Sequence, residues 1–161
     1  MVWACFSGVA GRSKLIIMER DPDSPKQGYS SNSYIKMLDE VLPTQWELGL
    51  TFMQDNAPIH TSKKTRKWFT DQSILLVDHP PFSPDLNPIE NLWRKLKELV
   101  YEVNPDIDFV MDGVDNIKEK LGEALQEAWL LIPQSYFSAV IELMSKRVEA
   151  VIVANGWHTK Y

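Results

Sequence analysis

LTFMQDNAPIHTSKKTRKWFTDQSILLV, residues Leu50 to Val77, holds two short apolar runs with a helical pattern between them. Leu50 to Gln54 suits a strand and stops abruptly at Asp55-Asn56-Ala57-Pro58, where a polar pair and a proline end any ladder. From about Thr61 the spacing predicts a helix, with Trp68 and Phe69 on one side and Lys63, Lys64, Arg66 and Lys67 on the other. Ile74 to Val77 is a second continuous apolar run, the pattern of a buried strand. Strand, helix and strand in succession point to an α/β fold. They also put Asp55 at the C-terminal end of a strand, where open α/β sheets hold ligands.

Upstream, MVWACFSG at the start and LIIM at Leu15 to Met18 read as the two arms of a hairpin, with Gly8 and Gly11 marking the turn. RDPDSPKQGYSSNS, with two Pro, one Gly and four Ser, is a loop. A helix follows from Ser33 to about Leu42, with Tyr34, Met37, Leu38, Val41 and Leu42 on one face, Ser33 or Asn32 as its cap, and an end near Pro43. Downstream, DHPPFSPDLNP from Asp78 to Pro88 carries four prolines in eleven residues and predicts a stiff, extended connector. The helix after it is the most clearly signalled element, with Asn87 placed to cap it, Pro88 at its first position and Glu90 at its third. Its apolar residues Ile89, Leu92, Trp93, Leu96, Leu99 and Val100 follow the helical period, and Asn104-Pro105 ends it. Two further helices are expected, from about Asp112 to Leu131 and from beyond Pro133 to about Ala154.

Composition narrows the function classes. With 161 residues, 44% hydrophobic and 24% charged, the chain has the make-up of a globular domain with a substantial core. The single Cys5 excludes an internal disulfide framework, and His60, His79 and His158 are too widely separated for a zinc-binding pattern. No apolar run reaches the roughly 18 residues of a membrane span, and the start lacks the features of an export signal. The expectation is a protein without a membrane partner that is not secreted. A net charge of -5 argues against nucleic acid as a partner. Its distribution weakens that argument, because eight acids against Lys118 and Lys120 lie between Glu102 and Glu127. Basic residues gather at Lys63 to Lys67, at Arg94, Lys95 and Lys97, and at Lys146 and Arg147.

Two acids stand out by position. If the helix bearing Glu90 packs on the sheet, Glu90 and Asp55 can face one point. Carboxylates are hard ligands that suit Mg²⁺ and Mn²⁺, and two such ions about 3.5–4 Å apart support in-line phosphoryl transfer. Purely structural roles fit these residues as well. Glu90 is placed to complete a capping box with Asn87, Asp55 to close a turn beside Asn56 and Pro58, and His60 to begin a helix. Asp78 and Asp85, loop acids near prolines, have the weaker claim.

The wording around these acids adds a separate argument. FMQDNAPIHTS at Phe52 to Ser62 and PPFSPDLNPIENLWRKLK at Pro80 to Lys97 resemble the second and third catalytic blocks of the Tc/mariner transposases. Thirty-four residues lie between Asp55 and Glu90, the interval of the branch of that family that uses two Asp and one Glu. MVWACFSG resembles the strand that follows the first catalytic block, and KRVEAVIVANGWHTKY resembles the family's C-terminal end.

The resemblance implies an RNase H-like α/β fold followed by C-terminal helices, and divalent-metal-dependent cutting and joining of DNA at transposon ends. Residues 1–102 would form the partial catalytic domain and 103–161 its helical extension. By position, Asp55 would be the second metal-ligating carboxylate and Glu90 the third, with Mg²⁺ or Mn²⁺ as cofactor. Asn56 and His60 would order the second block or approach DNA, Asn87, Pro88, Asn91 and Trp93 would shape the helix entry, and Lys63, Lys64, Arg66 and Lys67 would contact the DNA backbone. The family's first catalytic Asp sits on a central strand before a segment like MVWACFSG, after helix-turn-helix domains. Neither Asp21 nor Asp23 takes that place by motif, so an incomplete fold without the first central strand is expected. The expectation is a transposase fragment inactive alone, nuclear in a eukaryote and otherwise cytoplasmic. The alternative is a non-enzymatic module that binds DNA or a full-length transposase.

Overall fold

The computed structural model describes residues 1–107, 113–157 and 159. They form two compact units, Met1–Asn87 and Pro88–Tyr161.

The first unit begins with the expected hairpin, broken by a bulge. Strand β1 (Val2–Trp3) pairs antiparallel with β4 (Ile16–Ile17), and β2 (Phe6–Ser7) with β3 (Gly11–Arg12). Between the pairs Trp3↔Ile16 and Phe6↔Arg12 the outgoing arm has two residues and the returning arm three. The extra residue is accommodated at Ser13, whose N–H donates to the Cys5 carbonyl (2.8 Å) while its Oγ accepts from the Cys5 N–H (2.9 Å). A side-chain oxygen thus takes over a ladder acceptor where the bulge displaces the backbone.

Helix α1 (Ser31–Val41) buries Tyr34, Met37, Leu38 and Val41, the face its period predicts. Its cap is Ser30, upstream of the residues expected from sequence. Ser30 Oγ accepts from Asn32 and Ser33, and Ser33 Oγ accepts from the Ser30 N–H at 2.9 Å. Ser33 therefore closes a reciprocal capping box from inside the helix. A 3-10 turn, Leu42–Thr44, takes Pro43 and ends the helix where expected.

Strands β5 (Thr51–Phe52) and β6 (Leu75–Leu76) pair in parallel, which requires a crossover. That crossover contains two helices where the sequence suggested one, α2 (Pro58–Thr61) and α3 (Lys63–Asp71). Pro58 starts the first early because its fixed φ suits a first helical position. Ser62, extended at φ -58° and ψ 150°, breaks the run and caps α3 through its Oγ, which accepts from the Thr65 N–H. Phe52, Phe69 and Ile74 join the α1 face in one core, with Trp3, Trp46 and Trp68 packed against it. The expected burial of β6 holds only for its flank. Ile74 is buried, but Leu75 is 70% exposed, since a two-residue parallel ladder turns alternate side chains to opposite faces.

In the second unit α4 (Ile89–Val103) packs on α5 (Val114–Leu131), and α6 (Gln134–Val153) follows. Leu92, Leu96, Leu99 and Val100 are buried on α4, and the small residues Gly122, Ala124 and Ala128 are buried on α5. Trp129 is enclosed, with Trp93 against one side at 5.8 Å between ring centroids and Phe137 edge-on at 5.5 Å. The expected start of α5 at Asp112 lies outside the described residues, as does His158. Arg147 is buried on α6, so the basic pair it forms with Lys146 in sequence is not a surface pair.

Candidate active site

Asp55 follows β5 by three residues and is held by its own loop. Its Oδ1 accepts from the Ala57 N–H at 3.0 Å and lies 2.6 Å from His60 Nδ1. The first contact is the turn that an Asx residue before a helix favours. The second spans five residues, because α2 carries His60 back over the loop. Among the described residues Oδ2 has no hydrogen-bond partner, and the Asp55 side chain is 53% exposed.

His60 is enclosed by residues that the motif reading did not single out. Tyr34 from α1 lies against its ring, 4.5 Å between centroids and tilted by 44°. The Tyr34 hydroxyl donates to Gln54 Oε1 at 2.7 Å, and Gln54 Nε2 reaches the His60 carbonyl at 3.5 Å. Burial pushes the Tyr34 hydroxyl pKa above its ordinary value, so it stays protonated and remains a donor. The sequence carried a partial signal for this pair. Tyr34 is the one residue on the buried face of α1 with a polar tip, which needs a partner when enclosed, and Gln54 is the polar residue that ends an apolar run.

Asn56 turns the other way, donating from Nδ2 to the His79 carbonyl at 2.8 Å. The loops after β5 and β6 are thereby tied together. On α3, Lys63, Lys64, Arg66 and Lys67 are all exposed. Lys67 pairs with Asp71 at 2.8 Å and Lys64 Nζ donates to Asn32 Oδ1. Lys63 and Arg66 have no ion pair among the described residues.

Glu90 belongs to the second unit, in the first turn of α4. The expected capping box does not form. Asn87 instead ends the 3-10 turn Pro84–Leu86, its N–H donating to the Pro84 carbonyl at 3.0 Å, and Pro88 becomes the cap residue. Glu90 thus stands second in the helix, exposed and with no hydrogen-bond partner among the described residues. Its charge is favourable beside the unpaired N–H groups of a helix start. Arg94 and Lys97 are exposed on the same helix, while Lys95 pairs with Glu98 at 3.2 Å. The loop acids Asp78 and Asp85 lie in the connector, and Asp21 is committed elsewhere, accepting from Ser30, Asn32 and the Asp23 N–H.

The crystal structure of the catalytic domain of Mos1 mariner transposase superposes with a TM-score of 0.63 over 99% of this chain and 82% of that one, at 16% identity. The fold is therefore that of an RNase H-like catalytic domain. A family model described as DDE superfamily endonuclease matches residues 25–109, a span that includes both Asp55 and Glu90. The chain belongs to the DDE endonuclease superfamily, as a catalytic domain of the Tc/mariner transposase type. It is 34% identical over 166 residues to the Tc1 transposase of Caenorhabditis elegans, covering 100% of this chain and 54% of that protein. With the Tc3 transposase of the same species identity is 38% over 156 residues, covering 97% of this chain and 44% of that protein. The chain spans about half the length of the curated relatives it matches.

Proposed function

We propose that this chain is part of a transposase that cuts and joins DNA at transposon ends, with Asp55 the second and Glu90 the third of its metal-ligating carboxylates. The observation that carries the reading is that one family match spans both acids, with thirty-four residues between them. Both are exposed, and Asp55 Oδ2 and the Glu90 carboxylate have no partner among the described residues.

The donor chemistry fits Mg²⁺ or Mn²⁺, since each ion takes hard carboxylate oxygens and completes its shell with water and phosphate. A solved structure of the Mos1 catalytic domain contains raltegravir with Mn, which supports the same metal class here. Among the described residues no group of three His, Cys, Asp or Glu is placed to hold a metal. In the two-Asp, one-Glu pattern of the family that the chain resembles, Asp55 and Glu90 would act with a third carboxylate. When bound, a pair of divalent ions supplies Lewis-acid activation of the attacking and leaving oxygens in an in-line displacement. The residues of this chain do the rest. Asp55 and Glu90 hold the charge in place, and Lys63 and Arg66 neutralise phosphates of the DNA backbone. In a eukaryotic host, action on chromosomal DNA would require the functional protein to reach the nucleus. Among the described residues no helix is long and apolar enough to cross a membrane.

With two of three carboxylates assigned, the 161 residues alone bind duplex DNA in a salt-sensitive manner and leave it intact in Mg²⁺ or Mn²⁺. A gel-shift and nicking assay on transposon-end duplexes tests this. Cleavage that disappears in Asp55→Asn or Glu90→Gln would show that the chain is competent by itself. Absence of any salt-sensitive shift would remove the DNA-binding reading.

A further inference from the structure

The surroundings of Asp55 carry a role for His60 that differs from contact with DNA. His60 is only 17% exposed, its ring lies against Tyr34, and its Nδ1 is 2.6 Å from Asp55 Oδ1. A carboxylate offers only acceptors, so Nδ1 carries the proton and donates. Oδ1 receives two donors, the His60 ring and the Ala57 N–H, while Oδ2 receives none among the described residues. The imidazole is in turn braced by the Tyr34 ring, and its backbone by Gln54, which the Tyr34 hydroxyl holds.

Resting on the reading of Asp55 as a metal ligand, we infer that His60 is a positioning residue. It clamps Oδ1 so that Asp55 presents Oδ2 as a single, oriented oxygen to the divalent ion, and Tyr34 and Gln54 fix the clamp. The physical need is plain. A half-exposed carboxylate on a loop samples several rotamers, and each bond to its outer oxygen removes some of that freedom before the ion arrives. Outer-shell partners of metal ligands are commonly worth about 10–100-fold in affinity.

Calorimetric titration of the full chain with MnCl₂ tests the inference, with thermal unfolding of each variant as a control. His60→Leu keeps an apolar side chain of similar bulk and removes the donor, whereas His60→Asn keeps a donor near the position of Nδ1. The expected result is a Mn²⁺ affinity about 10-fold or more weaker in His60→Leu and within a few-fold of the unaltered chain in His60→Asn. Tyr34→Phe retains the ring and produces a smaller loss. Equal affinities in the unaltered chain and His60→Leu, with binding lost in Asp55→Asn, would overturn the clamp and leave the metal site standing. So would equal weakening in the Leu and Asn variants. No saturable Mn²⁺ binding, or binding indifferent to Asp55→Asn, would overturn the metal site and the clamp together.

Discussion

Asn56 Nδ2 donates to the His79 carbonyl across 2.8 Å, joining the loops that leave two parallel strands. Strands β5 and β6 share only two pairs of residues, so this side-chain bond extends their pairing beyond the ladder. It also settles the direction of Asn56, whose amide is committed to the loop.

Removing that bond should loosen the loop that carries Asp55. Asn56→Ala is expected to lower stability by about 0.5–1.5 kcal/mol, the net worth of one such bond. Asn56→Asp should cost more, because a carboxylate facing the His79 carbonyl sets acceptor against acceptor. Urea unfolding monitored by fluorescence measures both, and an Asp variant as stable as the Ala variant would contradict the geometry.

Ser30 serves helix α1 and Asp21 together. Its Oγ accepts from Asn32 and Ser33, and its hydroxyl donates to Asp21 Oδ2. Ser30→Ala should cost about 0.5–2 kcal/mol as a lost cap. The Ser30 hydroxyl, with Asn32 and the Asp23 and Ser24 N–H groups, holds the Asp21 carboxyl below its ordinary pKa. A depressed folded value means that Asp21 stabilises the fold above the ordinary carboxylate value, and that this contribution disappears as pH falls through the lowered one. Stability measured from pH 6 downward should therefore fall less steeply in Ser30→Ala than in the unaltered chain.

Burial raises the Cys5 thiol to about 11, with the Ser13 hydrogen bond opposing in part. The thiol then stays protonated at pH 8, and alkylation by iodoacetamide should be much slower in the folded chain than in urea. Because the folded pKa is the higher one, the protonated thiol favours folding below the ordinary value, and that advantage is lost as pH climbs toward 11. Equal alkylation rates in buffer and urea would show that Cys5 is not enclosed.

The second unit depends on Trp129, which is 1% exposed between Trp93 and Phe137. Trp129→Ala is expected to cost about 3–5 kcal/mol, whereas Trp93→Ala, on a half-buried ring, should cost less. A double-mutant cycle between the two should return a coupling of about 0.5–1.5 kcal/mol for the ring pair. Additive effects would mean that the rings do not support each other.

If α3 contacts DNA, its basic residues should contribute unequally. Lys63→Ala and Arg66→Ala should each reduce the slope of log affinity against log salt by about 1. Lys67 is already paired with Asp71, so Lys67→Ala should change the slope less. Slopes in Lys63→Ala and Arg66→Ala unchanged from that of the unaltered chain would argue against α3 as the contacting face.

Local pattern by itself determined much of this protein. The strand-helix-strand order of residues 50–77, the buried face of α1 and the extent of α6 follow from apolar periods that any packed core requires. The two motif blocks and their interval identified the family without reference to packing. Tertiary structure decided what periodicity cannot express, which is how a polar side chain is spent. Asn87, an apparent helix cap, completes a 3-10 turn in the proline-rich connector, and this moves Glu90 from third to second position in its helix. Arg147, basic in sequence, is drawn into the interior of its unit. His60 and Tyr34, separated by twenty-six positions, meet because α1 and α2 pack together, and only that packing brings a braced imidazole to Asp55. Hydrogen bonds between distant residues depend on the three-dimensional path of the chain, and spacing along the sequence encodes them only when partners lie within a turn or two of each other.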